Sequence, residues 1–504
     1  MSTPANKDTL NSLTQNCKDT MTELEEIFPA MMELRAHLTA MEADAIVKPG
    51  SILAFFSKTE DFFVGSHFIL HELMSSLRLL LDTTIVYEKG YHIQNINLSL
   101  CEAYNYFVGS IDNGVWSLLK SMILALGNPI LHSYVAITDS ELTKLRTEYC
   151  DEQMRNSTAH YDEPIKRYNW VRSIPEEDKY CKAVSQFMLI HLRISQISMI
   201  IFAIICQIVS KSTVPSVKQK MPAFDVKAFV EDNIVERFSS DERLVNLSGK
   251  SLTKISNNID SLYYDHLKYE KLKEYTVTQN MQFPSSAEIL HQLILLRMMV
   301  GFIRCDLTCA MRAYMSSKSG VERSLHLRKI YLTEVSGLTY LYGYNKKKNT
   351  KSLWKQLMII DVDCSENESA SLQENFEELT SYLDNVRRNL HTHFREDEKL
   401  NILKRYEAYK ELDQITEINK ALNLLHLCKK IENYTMSTLE RIRKKEQQKS
   451  KEQRDHFNAM FDNLRTMTMN SNSSEGVKAQ TIVMFNEMER KLAGLFDLKK
   501  RTDT

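Results

Sequence analysis

Apolar residues recur at spacings of three and four along almost the whole of this 504-residue chain. Leu372, Phe376, Leu379, Leu383, Val386 and Leu390 form one such stripe, and Val184, Phe187, Met188, Ile194, Ile197 and Ile201 form another. That spacing lines one face of a helix with 3.6 residues per turn and does not fit the alternation of a half-buried strand. Turn formers are scarce as well: 13 glycines and 9 prolines leave little material for hairpin loops. The predicted fold class is all-α.

The periodic stretches fall into two sets. Helices are predicted over 7–44, 51–82, 93–126, 139–157 and 179–211, and again over 226–275 (interrupted), 285–317, 321–343, 370–392 and 408–447. Between the sets lies SKSTVPSVKQKMPAFD, polar and carrying Pro215 and Pro222, which reads as a linker. The expected organisation is a first helical domain at 1–212, a linker at 213–225, a second helical domain at 226–447 and a charged helical tail at 448–504. A chain of this length exceeds what a single core supports.

Charge and cysteine usage narrow the function classes. Lys plus Arg (64) and Asp plus Glu (65) cancel, so nucleic-acid contact has to be local rather than spread over the surface. Nine scattered cysteines without a Cys-x-x-Cys pair point to reduced thiols, not to a disulfide frame or zinc ribbon. With the polar opening MSTPANKDTLNS, this predicts a cytoplasmic protein. ISQISMIIFAIICQIVS (194–210) is the most apolar stretch; two glutamines and a length at the margin for a bilayer make it a core helix rather than a membrane span.

The second set also repeats the first. LCEAYNYFVG (100–109) pairs with LTEVSGLTYLYG (332–343), Leu100 with Leu332 and Glu102 with Glu334. Downstream, Arg155-Asn156-Ser-Thr-Ala-His160 meets Arg388-Asn389-Leu-His-Thr-His393. An aromatic residue follows each histidine, Tyr161 or Phe394; then come an acidic pair and a Lys-Arg-Tyr run, at 166–168 and 404–406.

On a continuous helix Asn156 and His160 share a face, while Arg155 lies about 100° round from Asn156. A guanidinium grips phosphate through two nitrogens, and an imidazole exchanges protons near neutral pH. Together they suit phosphodiester cleavage without a metal, histidine handling the proton and arginine the phosphorane charge. RNA supplies its own nucleophile in the 2′-hydroxyl.

The paired Arg-Asn-x-x-x-His runs in an all-helical frame resemble the HEPN superfamily of all-α endoribonucleases. The resemblance implies two tandem antiparallel helical-bundle units forming an intrachain pseudo-dimer, with a helical C-terminal extension. It also implies one composite site of Arg155, Asn156, His160, Arg388, Asn389 and His393, which leaves a 2′,3′-cyclic phosphate and a 5′-hydroxyl and calls for no cofactor or metal. The implied partner is an RNA substrate, in antiviral defence or growth arrest, with no membrane; the family's toxin branch implies an inhibitor or antitoxin protein, and further homo-oligomerisation is compatible. The tyrosine that this branch carries two residues after the histidine is replaced by Asp162 and Arg395. Tandem motifs are also similar to those of RNA-guided type VI CRISPR effectors, so a compact nuclease holding a guide or other small RNA stays open. So does a non-catalytic helical RNA-binding or scaffold protein.

Basic residues near the motifs, Lys166, Arg167, Lys404 and Arg405, and the loop lysines Lys346, Lys347 and Lys348, are candidate RNA contacts, as is RIRKKEQQKSKEQR at 441–454. Glu102 and Glu334 are expected to be exposed, unless they orient the motif arginines. His391 is a weaker alternative to His393, because Thr158 occupies its place in the first copy. His67 and His71 lack an evident third ligand and read as a packed or surface pair. LSGKS (247–251) lacks the first P-loop glycine, with Leu244 in its place, and DVDCSENES lacks the turn glycine of a calcium loop.

Overall fold

The computed structural model describes residues 4–43, 52–109, 114–159, 163–172, 177–210, 242–279, 285–318, 320–342, 352–360, 366–381 and 412–502. Among these residues every regular element is helical. The first set comprises α1 (Pro4–Ala43), α2 (Ile52–Asp82), α3 (Val86–Phe107), α4 (Val115–Ala125), α5 (Pro129–Lys144), α6 (Glu152–Ala159), α7 (Pro164–Arg172) and α8 (Glu177–Ser210). The second comprises α9 (Glu242–Thr278), α10 (Ser285–Met315), α11 (Gly320–Tyr342), α12 (Leu353–Ile360), α13 (Glu366–Ser381) and α14 (Gln414–Met469), followed by α15 (Glu475–Thr502).

Each set is built round one helix that is buried on most sides and mainly apolar. In α2, Phe62, Phe63, Ile69, Leu70, Leu73 and Leu77 are buried among α1, α3, α4 and α8. In α10, Leu293, Met299, Val300, Phe302, Ile303 and Leu307 are buried among α9, α11, α12 and α14. A helix with so wide an apolar surface sits inside a bundle, and its buried charges, Glu60, Glu72 and Asp306, each meet an arginine. The counterpart of α5 on α8 is α13 on α14, so the order of elements and their packing partners run in parallel. Two hydrophobic cores result, one for each set.

The sets meet along α2 and α3 on one side and α10 and α11 on the other, and the contacts are reciprocal. Arg78 on α2 donates to Glu322 on α11 at 3.0 Å, and Arg312 on α10 donates to Glu88 on α3 at 2.7 Å. Arg78 and Arg312 are 234 positions apart (312 minus 78), as are Glu88 and Glu322 (322 minus 88). Residue i of one set thus meets residue j of the other, and j meets i, which is the pattern of an isologous contact. Around this core Phe68-Ile69, Glu72-Leu73 and Arg78 recur as Phe302-Ile303, Asp306-Leu307 and Arg312, and His92 recurs as His326. The same interval places Glu334 opposite Leu100 instead of Glu102, two residues from the expected register.

Several boundaries differ from expectation. The stretch predicted as one helix at 93–126 is two, α3 and α4, and the stretch at 139–157 breaks after a π-helical turn at Leu145–Tyr149 before α6 starts. α7, assigned to the first domain, lays Val171 into the second core, with Ile165 and Tyr168 packed against that core. The expected limit at 447 falls inside α14, whose 56 residues run about 84 Å without interruption. Asp413 caps its start, accepting from the Thr416 amide at 2.9 Å. Beyond the core α14 turns back at 470–474, and α15 pairs with it through Phe461 against Phe485 and an Arg465–Asn486 hydrogen bond of 2.8 Å. The tail is a helical hairpin. α8 is long and apolar enough to cross a membrane by composition, with half of its most apolar window buried in the first core.

LSGKS is part of α9 and forms no phosphate-binding loop. Gly249 there is buried, and a Cβ in its place would lie 2.8 Å from Nη1 of Arg312, the arginine that reaches Glu88.

Candidate functional site

The first motif begins on α6, and α3 fixes where α6 lies. Gly90 lets the backbone of α7 approach, since a Cβ there would stand 2.8 Å from the Val171 carbonyl oxygen. Two turns on, the buried Asn97 clamps the chain just ahead of α6: its Nδ2 donates to the Asp151 carbonyl and its Oδ1 accepts from the Asp151 amide, each at 2.8 Å. Asp151 in turn caps the helix by accepting from the Met154 amide at 2.9 Å. Met154 is buried in the first core beside Tyr180, whose hydroxyl burial pushes up, assisted by Asp151.

Arg155 follows Met154 and leans back onto α3. Its Nε donates to Oε1 of Glu102 at 3.0 Å, and its Nη2 reaches the same oxygen. The Glu102 side chain is 8% exposed and that of Arg155 27%, so the carboxylate is inside and the guanidinium at the rim. Such a charge-assisted pair fixes the plane of the guanidinium while one edge faces outward. Next to Glu102 the thiols of Cys101 and Cys150 interact, and Cys150 is pushed well above the usual thiol range by that contact and by burial.

Glu102 is therefore buried and bound to the motif arginine, not exposed. Glu334 is also buried, but differently: its Oε1 has no hydrogen-bond partner among the described residues, and burial beside Glu417 holds its carboxyl well above the usual range. The expectation of exposure fails for both, because each faces the interior of its bundle.

The backbone of Asn156 lies within α6. The Asn156 side chain, His160, Arg388, Asn389 and His393 lie outside the described residues, as do Lys346, Lys347, Lys348, Lys404 and Arg405. Lys166 is exposed beside Glu163 at 2.9 Å and stands over the Trp170 ring at 5.5 Å. Arg167 is corrected: it is 2% exposed, paired with the equally buried Asp306 on α10, which also accepts from the Tyr87 hydroxyl at 2.9 Å. A guanidinium enclosed in this way ties α7 to the second core and offers nothing to RNA. Its neighbours Tyr168 and Arg172 do the same through Asp260 on α9. By contrast, Arg443, Lys444 and Lys445 on α14 are exposed.

His67 is buried and His71 half-buried. The His67 ring meets His191 edge to face at 4.2 Å, and burial lowers His71 to about 4, aided by His67. Sequence reasoning missed Asn97 and Asp151; the aspartate ahead of Glu-Gln-Met-Arg was the available cap signal.

No protein-family model matches the chain, and no significant match was found among curated proteins or solved structures.

Proposed function

We propose that the protein is a metal-independent endoribonuclease of HEPN type, in which two helical units of one chain face each other as a pseudo-dimer and join their Arg-Asn-x-x-x-His runs in a composite site. The observation that carries this reading is the placement of Arg155, held by the buried Glu102 at the bundle rim and displayed by an α6 that Asn97 clamps in register. A clamped guanidinium suits phosphorane stabilisation, since its orientation costs nothing at the moment of reaction. The reciprocal Arg78–Glu322 and Arg312–Glu88 pairs add support, because a composite site needs its two units in a fixed symmetric relation.

In this mechanism His160 or His393 takes the 2′-hydroxyl proton, the oxygen attacks the adjacent phosphorus, and the other histidine protonates the leaving 5′-oxygen. Arg155 and Arg388 neutralise the phosphorane. The products are a 2′,3′-cyclic phosphate and a 5′-hydroxyl. Labelled single-stranded RNA incubated with the purified chain in EDTA, followed by analysis of both product ends, tests this directly.

The Arg155–Glu102 pair favours one other reading, a non-catalytic helical scaffold in which the pair is a structural peg. RNA left intact by the wild-type chain, where an unrelated ribonuclease cleaves it, supports that reading.

A further inference from the structure

A second cluster of reactive side chains lies on α9 and α10. His266 and Glu270, one turn apart on α9, converge with His291 on α10, and one potential ligand atom from each falls within 4.8 Å of the others. Nδ1 of His266 and Nε2 of His291 are 2.8 Å apart. Only one of these nitrogens can carry the proton between them, and the other accepts it through its lone pair. Two nitrogens at 2.0–2.1 Å from one tetrahedral ion stand about 3.3 Å apart, so an ion that replaces that proton needs the nitrogens about half an ångström further apart and the rings turned by roughly 35°, so that both lone pairs meet beside the N···N line.

The rings are held for this. His291 stacks on Tyr269 with centroids 3.7 Å apart and planes 6° from parallel, and the Tyr269 hydroxyl donates to Glu288 at 2.8 Å. Glu270 is exposed and brings the negative charge that a dication requires. The matching helices of the first set, α1 and α2, are joined instead by an Arg35–Glu60 ion pair.

We infer that His266, Glu270 and His291 form a divalent transition-metal site, of the zinc, cobalt or nickel class, that clips α9 to α10 and leaves a coordination position open to water. Two imidazoles and a carboxylate are a donor set for borderline cations, not for calcium or magnesium. The site shares no residue with the proposed RNA-cleaving centre.

Titration of the full-length chain with Co²⁺ near pH 7.5, followed by ligand-field absorption, tests the site; Zn²⁺ is then added in competition and thermal unfolding is recorded with and without Zn²⁺. One Co²⁺ per chain, displaced by Zn²⁺, and a Zn²⁺-dependent rise in Tm are expected. Glu270→Gln, at an exposed position, keeps the histidine pair and is expected to weaken binding by at least about tenfold; His291→Gln is expected to abolish it. Unchanged affinity in both variants, a thiolate-to-cobalt charge-transfer band, or no binding by the wild-type chain overturns the site. None of these readouts depends on RNA cleavage, so either proposal can fail alone.

Discussion

Arg155 reaches from α6 to one carboxylate oxygen of Glu102 on α3, placing a motif guanidinium at the rim of the first bundle on a buried anionic support.

Removing the charge of that support leaves its size intact. Glu102→Gln is expected to cost roughly 1–3 kcal/mol of stability, because hydrogen bonds to charged groups contribute about that much. If Arg155 stabilises the phosphorane, cleavage is expected to fall about tenfold or more with little change in RNA affinity. Chemical denaturation and single-turnover kinetics on one preparation separate the two effects.

Arg167 differs in kind. Since it is enclosed with Asp306, Arg167→Ala is expected to destabilise the fold by about 3–5 kcal/mol by stranding a buried carboxylate, and Arg167→Ala with Asp306→Ala to recover part of that loss. Denaturant midpoints measure it. A variant of unaltered stability that loses salt-sensitive RNA affinity would return Arg167 to the RNA surface.

The seam between the helix sets makes a parallel prediction. In a double-mutant cycle the Arg312–Glu88 pair is expected to show coupling of about 1–3 kcal/mol, and the more exposed Arg78–Glu322 pair less. Additive single variants at Arg312 and Glu88 would contradict it.

Acid should weaken the fold before ordinary carboxylates titrate. Burial pushes His71 down to about 4 and holds His92, His191 and His326 well below 6.5. A histidine lowered in the folded state is protonated first in the unfolded chain, so its contribution is present above pH 6.5 and is lost as pH falls toward the folded value. Urea midpoints are expected to drop between pH 6.5 and about 4.5, with each such histidine adding up to about 1.4 kcal/mol per pH unit. His191→Gln and His326→Gln are expected to make that slope shallower.

Helix type and order were legible in the sequence because the apolar stripes of α2, α8, α10 and α14 are long and regular. The breaks were less so: the π-helical turn lies just ahead of the point where Asn97 clamps Asp151, a contact between residues 54 apart, and the first helix of the split pair, α3, ends beside Gly109, whose φ is +79°. The 234-residue interval of the ion pairs differs by two residues from the pairing of Glu102 with Glu334 and by one from that of Arg155 with Arg388, because it is carried by charged positions at the seam, Glu88 with Arg312 and Arg78 with Glu322, whose partners lie in the other half of the chain. Glu102 and Arg167 show the same limit from opposite sides. A lone charged residue on an amphipathic helix reads as solvated, and only the fold reveals the countercharge that lets it be buried.

The most direct measurement compares the wild-type chain, His160→Ala and His393→Ala on labelled single-stranded RNA in EDTA, with folding checked by circular dichroism. A composite site predicts cleavage by the wild type alone, with each single variant losing at least about a hundredfold. Full activity in both variants, or intact RNA with the wild type, contradicts the account.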